Sequence, residues 1–280
     1  MNPWVVAAFA VWLGGWALNT RLARARGRLA RLSPPLVFGL SLLLFWEFIV
    51  RGLAISPVLL PSPSAIVARM AVSGPTLRED VVQTFFKGAL SGYAIGCGAA
   101  FLTGIVVDRF GFLRRGLLPI GNFASALPIV GMAPIMVMWF GFDWQSKAAV
   151  VVLMVFFPML VNTVQGLAAT GAMERDLMRT YAASHAQVLW NLRLPAAAPF
   201  LFNGLKICAT LALIGAIVAE FFGSPTRGMG FRISTEVGRL ALDMVWAEIA
   251  VAALVGSAFY GLIALLERAA TFWHPAWRAG

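Results

Sequence analysis

The side chains that could do chemistry are concentrated in one segment, residues 165–199, between two long apolar stretches. The chain has no phosphate-binding Gly-x-x-x-x-Gly-Lys-Ser/Thr loop and no His-Glu-x-x-His or Gly-x-Ser-x-Gly sequence. Its two histidines, His185 and His274, are far apart and belong to no metal-ligand spacing. The segment therefore indicates contact with another molecule rather than catalysis. Its charged and polar members are Glu174, Arg175, Asp176, Arg179, His185, Gln187, Asn191 and Arg193.

The polar segment is predicted to form two short helices outside the membrane. Thr170 or Gly171 can cap the first helix. Ser184 and Gln187 form a Ser-x-x-Gln capping box for the second helix, which we expect Pro195 to end. The second helix has an apolar stripe that needs a partner, which we expect to be another protein. This stripe consists of Val188, Leu189 and Leu192.

Composition identifies the chain as an integral membrane protein. Of its 280 residues, 60% are hydrophobic and 12% are charged, whereas soluble domains are nearer half apolar and a quarter charged. The apolar stretches are long runs, which favours helices over a β-barrel. Cys97 and Cys208 lie inside these runs and are predicted to be small buried residues. The net charge of +10 would suit nucleic acid or anionic lipid, but basic loops that determine topology explain it better.

Seven apolar segments are predicted to cross the membrane. The first, residues 4–18, is short for a full span and precedes a basic cluster, which suits an anchor with its N-terminus outside. The resulting topology has 14 of the 22 basic residues inside, and this bias places residues 165–199 in the cytoplasm. The basic cluster is Arg21, Arg24, Arg26, Arg28 and Arg31. The other predicted spans are residues 35–50, 84–107, 116–141, 148–164, 200–222 and 246–266.

Small residues recur at every fourth position along the span 84–107. Such a ridge lets the backbone of another helix approach closely, so we expect helix packing there. The pattern carries no information on substrate. The residues of the ridge are Gly88, Gly92, Gly96, Ala100 and Gly104.

Prolines at positions 119, 128 and 134 interrupt the span 116–141. Because proline removes a backbone hydrogen bond, we expect a kinked or broken helix, which a bilayer tolerates only where protein or a water-filled cavity covers it. This span is therefore the candidate lining of a pathway; the alternative is a kinked packing helix that lines nothing. The candidate residues are Pro128, Met132, Pro134, Met136 and Trp139.

Ionisable residues of the apolar spans are predicted to lie near span ends, where their side chains can reach the interface. A carrier driven by protons or ions would need such groups at depth, or paired broken helices in two repeats. The sequence shows neither clearly. The residues concerned are Glu47, Lys87, Lys206, Glu220 and Glu248. Glu47 is expected to be interfacial or paired. Two further ionisable residues, Asp143 and Lys147, are assigned to a short outer loop.

The polar segment resembles the cytoplasmic EAA loop of the transmembrane permease subunits of bacterial ATP-binding-cassette (ABC) importers. That loop has Glu-Ala-Ala, then a glycine and later Leu-Pro at set spacing. With Leu194-Pro195 as the Leu-Pro, the glycine corresponds to Ala182 and Glu-Ala-Ala to Asp176-Leu177-Met178, so only the acid is kept, as Asp. Further agreement, over about residues 35–270, indicates the nitrate/sulfonate/taurine branch. It lies in Trp46-Glu47, residues 60–66 (LPSPSAI), Trp139-Phe140-Gly141, Phe157-Pro158, Asn162-Thr163 and Ala219-Glu220.

The resemblance implies an all-α polytopic bundle of the bacterial inner membrane. Residues 35–280 would form the six-helix core of a type I ABC importer permease, and residues 1–34 an added helix and basic loop. The subunit would be non-catalytic, with no cofactor or metal of its own, because a separate ATPase binds ATP. Implied partners are two ATPase copies, a periplasmic or lipid-anchored binding protein, a second identical permease copy and membrane lipids, but no nucleic acid. Implied coupling residues of the cytoplasmic loop are Asp176, Arg179, Ala182, Ser184, Leu189, Leu194 and Pro195.

Three stretches (RTYAAS, LRLPAAAPFLFNGLKI and GFRISTEVGR) are similar to permeases associated with pyrimidine-type thiamine or riboflavin precursors. The leading substrate prediction is such a vitamin precursor; otherwise a sulfonate, taurine or nitrate-like anion is expected. A secondary transporter working alone is the alternative function. It predicts transport without ATP and internal repeats, which the sequence does not show. A structural or signalling protein whose polar segment docks a regulator is the third hypothesis.

Overall fold

The chain is helical throughout the part that the structure describes. The structure, a computed structural model, describes residues 2–24, 28–110, 112–113, 116, 128–224 and 226–273. Within these ranges there are ten helices with described ends, residues 112–113 and 116 are also helical, and there is no strand, so the prediction of an all-α protein is confirmed. Arg26, Pro119 and His274, together with much of the predicted span 116–141, lie outside the described residues.

Six of the helices in the described ranges are long and apolar enough to cross a membrane: α1, α2 from Ser33 onward, α4, α6, α8 and α10. The helix α5 is apolar but has only 12 residues. The ten helices are α1 (Pro3–Leu22), α2 (Arg28–Gly52), α3 (Pro63–Val72), α4 (Gly74–Arg109), α5 (Ile129–Phe140), α6 (Trp144–Ala168), α7 (Ala172–Thr180), α8 (His185–Glu220), α9 (Met229–Gly238) and α10 (Leu242–Ala270).

The helices divide into two compact units. One comprises the chain up to Leu77 together with Ile233–Ala250, and the other comprises Arg78–Arg232 and the chain from Val251 onward. Helices α4, α9 and α10 each contribute residues to both units. The division at residue 34 expected from the resemblance stays a prediction.

The first unit contains a hairpin of α1 and α2 held together by aromatic rings. The rings of Trp12 and Phe9 both contact that of Phe45, at centroid distances of 5.4 and 5.9 Å. Asn2 caps α1 and donates a hydrogen bond to the Gly52 carbonyl at 2.5 Å, which joins the beginning of α1 to the end of α2. The apolar segment predicted over residues 4–18 is therefore part of a longer, 20-residue helix.

The helix α3 begins with Ser62 as N-cap and Pro63 at the first helical position, a common place for proline. Just before the end of α2, Glu47 forms an ion pair with Arg51 at 2.5 Å. Its carboxylate also accepts hydrogen bonds from the backbone N–H and the hydroxyl of Ser64, at 2.9 and 2.7 Å. The expectation that Glu47 is paired is confirmed, and this network ties α3 to α2.

The core of the second unit is built on α6, which packs against both α4 and α8. At three of the four ridge glycines of α4 an added methyl group would not fit against α6. A Cβ at Gly92 would lie 2.6 Å from the Ala148 carbonyl oxygen, and one at Gly96 would lie 2.5 Å from Val155. The same helix contacts α10 through Tyr93, whose ring lies 5.0 Å from that of Phe259.

Two helices of this unit change their hydrogen-bonding pattern along their length. In α4 the backbone widens to π-type i to i+5 bonding over Val82–Ala89, and in α8 it does so over Leu189–Arg193. The prediction that Pro195 ends a helix is wrong. The π-type turn precedes Pro195, which then occupies the first turn of the α-helical part, where its missing N–H costs nothing, and α8 continues into the membrane.

Three ionisable side chains are less accessible than expected. Glu220 and Glu248 are almost fully buried inside the protein, so their side chains are not free to snorkel, although Glu220 does lie at the end of its span, as the last residue of α8. Lys147 lies in the first turn of α6 rather than in an outer loop. It is buried too, and its ammonium donates to the Phe142 carbonyl at 2.5 Å.

Candidate functional site

The polar segment folds as two capped helices joined by a short turn. Gly171 is the N-cap of α7, and its N–H donates to the Glu174 carboxylate at 2.8 Å. Ser184 is the N-cap of α8; its N–H donates to Gln187 at 2.7 Å, and its hydroxyl accepts from the Gln187 N–H. Both predicted caps are confirmed, and they set the direction of the chain into and out of the turn.

The turn contains Ala182 in a left-handed conformation, with φ of 51°. Its N–H donates to the Arg179 carbonyl at 2.9 Å, and the N–H of Ala183 donates to the Met178 carbonyl at 3.0 Å. These bonds close the C-terminal end of α7. Alanine is strained in this conformation and glycine is not, so the structure gives a physical reason for a glycine at the corresponding position of the EAA loop.

Apolar side chains form an exposed stripe along α7 and the C-cap residue that follows it. Met173, Leu177 and Tyr181 recur at every fourth position, and 86%, 56% and 76% of their surfaces are exposed. Sequence reasoning missed this stripe, although its spacing of four residues is the signal that could have revealed it. In the stripe predicted for the second helix, Leu189 is half-buried, as is Leu194 further on. We call the three exposed side chains the α7 stripe.

Arg193 anchors the beginning of α8 to two other helices. Its guanidinium binds the Asp108 carboxylate at the end of α4 through both terminal nitrogens, at 2.5 and 2.7 Å. It also donates two hydrogen bonds to the Leu167 carbonyl near the end of α6, at 3.0 and 2.8 Å. Only 15% of the Arg193 side chain and 6% of the Asp108 side chain are exposed. We call this arrangement the inner joint.

A second polar cluster, the outer joint, lies at the opposite ends of α4 and α8. Thr84 donates to both carboxylate oxygens of Glu220 at 2.9 Å, and its own oxygen accepts the Met229 N–H at 2.7 Å. Glu220 also accepts the Gly230 N–H at 2.8 Å. The first N–H groups of α9, which have no partner within that helix, are therefore satisfied by buried side chains.

Asp80 completes the outer joint. It accepts the Gly228 N–H at 2.6 Å and binds the Arg232 guanidinium at 2.9 Å. Gly228 has φ of 119°, and a Cβ there would lie 2.5 Å from the Glu220 carboxylate, so both its conformation and its surroundings require glycine. Across the described ranges, no group of three or more His, Cys, Asp and Glu side chains could hold a metal ion.

The predicted pathway residues of α5 do not share one surface. Met136 is buried, and Met132 packs against the same small cluster. Pro134 lies inside α5 without breaking it, whereas Pro128 caps its beginning. Only Pro128 and Trp139 are exposed.

An open groove of about 470 Å³ separates α8 from α10. Its walls are aliphatic, with hydroxyl groups from Thr210 on α8 and from Ser257 and Tyr260 on α10. None of the described residues that line it is charged. Asn203, two turns before Thr210 on α8, is also exposed and is bonded to Asn162 at 3.1 Å. Polar groups at this depth usually face a protein interior or a water-filled cavity rather than lipid.

The chain belongs to the family of binding-protein-dependent transport system inner membrane components, whose family model matches residues 92–272. Its members are non-catalytic permease subunits of ABC transporters, so the chain is a multi-pass inner-membrane subunit that works with a separate ATPase and a substrate-binding protein.

Several relatives are similar over most of their length. A formylaminopyrimidine transport permease of Halalkalibacterium halodurans is 32% identical over 243 residues, which are 85% of this chain and 95% of the relative. A riboflavin transport system permease of Chloroflexus aurantiacus is 30% identical over 237 residues, 84% and 88% of the two chains. A taurine transport system permease of Escherichia coli is 29% identical over 265 residues, 92% of each.

Proposed function

We propose that this permease imports a pyrimidine-type vitamin precursor and that the α7 stripe is where its ATPase subunit docks. The observation that carries the docking proposal is the stripe itself. Three large exposed apolar side chains, two on a polar nine-residue helix and one on its C-cap residue, are unfavourable in water and favourable in a protein interface.

The polar residues around the α7 stripe would form the rim of this interface. Asp176 and Arg179 pair at 3.3 Å, with 68% and 82% of their side chains exposed, which suits a solvated rim rather than a buried contact. Ala182 and Ser184 would act by holding the turn in its conformation. Leu189, Leu194 and Pro195 would act at the beginning of α8, where they connect the docking helix to the membrane core.

The inner joint gives a route from the docking site into the membrane. When ATP binding moves α7, the beginning of α8 would move with it. Because Arg193 is bonded to both Asp108 and the Leu167 carbonyl, the cytoplasmic ends of α4 and α6 would follow. Asp108 and Arg193 therefore join the coupling residues that the resemblance implies.

A second permease copy would complete the pathway. The exposed polar side chains of α8, Asn203 and Thr210, favour this arrangement because lipid is a poor environment for them. The groove beside Thr210 is the best candidate lining, and Trp139 remains a candidate on α5. A binding protein would deliver the solute from the outer side.

The same groove favours an uncharged solute. A sulfonate or nitrate-like anion taken out of water needs a cation or several N–H donors. The groove offers hydroxyl groups and aliphatic walls instead, which suit a small neutral ring. The relatives described as formylaminopyrimidine and riboflavin permeases agree with this class of solute.

Docking is tested by co-purifying the chain with an ABC ATPase encoded beside it. Leu177→Asp should weaken the association at least thirtyfold, because a charge in an apolar anchor position costs roughly 2 kcal/mol or more. The matched control is Leu59→Asp, which alters a still more exposed leucine between α2 and α3, at 73% against 56% for Leu177. Equal retention of the ATPase by both variants would contradict the proposal.

The substrate is tested by reconstituting the permease with its ATPase and binding protein in vesicles. ATP-dependent uptake of labelled formylaminopyrimidine, with no uptake of taurine, is the expected result. Uptake of taurine alone would support the anion alternative, and uptake without ATP would support a secondary transporter.

A further inference from the structure

One ion pair joins α8 to α10 beside the groove that lies between them. The ammonium of Lys206 donates to the Glu267 carboxylate at 2.7 Å, and only 19% and 11% of the two side chains are exposed. Lys206 lies 13 positions after Arg193 and 14 before Glu220, so it is about 20 Å along the helix axis from either joint. Ionisable side chains so deep in a membrane are rare and usually functional.

The helices α8 and α10 run antiparallel and approach closely at Gly256. A Cβ there would lie 3.0 Å from the Leu213 side chain. Leu213 comes after Lys206 in the sequence, whereas Gly256 comes before Glu267, so the two helices pass each other in opposite directions. Glu267 is 11 positions from Gly256, or about 16 Å along α10. A rotation of about 20° around Gly256 would therefore move Glu267 by about 6 Å, which is enough to break the ion pair.

The ion pair lies at one end of the groove. The side chains that line the groove fall within residues 210–217 of α8 and 252–260 of α10. Lys206 lies about one helical turn before the first stretch, and Glu267 lies about two turns beyond the second. Because the helices are antiparallel, both side chains are at the same end of the groove, the end nearer the inner joint. The pair therefore crosses the gap between the helices on the predicted cytoplasmic side.

An ion pair suits a contact that has to open and close. Replacing a buried pair by apolar side chains of similar volume is often neutral or stabilising, so stability alone does not require it. When the helices separate, the ammonium and the carboxylate both regain water, which offsets the lost attraction. The helix α10 is also less buried within the protein than α4, α6 or α8, so little packing resists its rotation.

We propose that the pair of Lys206 and Glu267 is a latch that closes the cytoplasmic end of the groove until α10 rotates away from α8. This role rests on the proposed use of the groove as the lining of the solute's pathway. While the latch is closed, solute in the groove is separated from the cytoplasm. Release of Glu267 opens the way out, and neither side chain needs to touch the solute.

The test measures how readily the groove is reached from the cytoplasmic side. Thr210→Cys places a thiol in the groove of a chain whose Cys97 and Cys208 are replaced by alanine. Inside-out vesicles that hold this permease with its ATPase, without nucleotide, are treated with a membrane-impermeant maleimide. Glu267→Gln and Lys206→Gln should each raise the labelling rate about tenfold, within the range usual for one coupling contact. The reversed pair, Lys206→Glu/Glu267→Lys, should return the rate towards that of the intact latch.

Arg268→Gln is the matched control, because Arg268 is exposed next to Glu267 and lies outside the pair. It should leave the labelling rate unchanged. The latch is overturned if neither single variant exceeds the intact rate, if Arg268→Gln or the reversed pair is labelled as fast as they are, or if the thiol is labelled in none of the variants. Labelling does not depend on which solute is carried. Vesicles that show the expected rates but import no formylaminopyrimidine when supplied with ATP and binding protein would therefore refute the proposed substrate and not the latch.

Discussion

Replacing Asp108 by alanine removes one side of the inner joint and leaves the Arg193 guanidinium mostly buried beside an apolar methyl group. The pair is bidentate, with nitrogen–oxygen distances of 2.5 and 2.7 Å. Breaking a buried pair by removing one partner costs about 3–5 kcal/mol, mainly because the remaining charge is left without compensation. The two bonds from Arg193 to the Leu167 carbonyl persist, so we expect Asp108→Ala to lower the free energy of unfolding by about 3 kcal/mol, the lower end of this range.

The measurement is the free energy of unfolding in mixed detergent micelles, with the double variant Asp108→Ala/Arg193→Ala completing a thermodynamic cycle. The double variant should be less destabilised than the sum of the single variants by about 2 kcal/mol, because residues in direct contact couple by up to about 3 kcal/mol. The matched control is Arg179→Ala. Its ion pair with Asp176 is exposed and should contribute less than about 1 kcal/mol.

Additive effects of the two alanine substitutions would refute the reasoning, because they would show that the two side chains do not depend on each other. A second readout tests the role in transport. If the inner joint passes movement from α7 to α4, Asp108→Asn should hydrolyse ATP with its partner but import less solute per ATP. An unchanged ratio would mean that the joint is structural only.

Three further predictions concern single positions. Ala182→Gly should raise the free energy of unfolding by up to about 1 kcal/mol, since glycine adopts the left-handed conformation without strain, and a loss of stability in the same titration would contradict the assigned turn. Gly96→Leu should prevent α4 from packing against α6 and abolish assembly on size-exclusion chromatography. Gly98→Leu should be tolerated, because the space around Gly98 is open. Equal behaviour of the two variants would show that the ridge does not face α6. Glu220→Gln should lower the free energy of unfolding by about 1–3 kcal/mol, because it places an amide donor against the N–H and hydroxyl donors that now face a carboxylate. An unfolding curve identical to that of the wild type would rule this network out.

Features that depend on neighbours within a few residues could be predicted from the sequence. Ser62 and Ser184 cap their helices as their spacing to the following residues requires. Glu47 finds its charged partner four positions away. The spacing of the glycines along α4 predicts close packing against another helix, though not which one.

Features that depend on distant partners could not be predicted. Glu220 is buried because Thr84, 136 positions earlier, and the beginning of α9 meet its carboxylate. Its place near the end of an apolar run suggested an accessible side chain instead. The prediction for Pro195 was wrong for a different reason. Proline ends helices when it lies at an interior position, but Pro195 lies in the first turn of a new α-helical stretch, where proline is favourable.

The two joints also bear on how the permease sits in a bilayer. Asp80 and Asp108 are 28 positions apart on one helix, or about 42 Å along its axis. The hydrocarbon core of a membrane is only about 30 Å thick. The ion pairs of Asp80 and Asp108 can therefore lie in opposite headgroup layers, although both belong to one unbroken transmembrane helix. The helix can tilt by some tens of degrees from the membrane normal before either ion pair enters the hydrocarbon core.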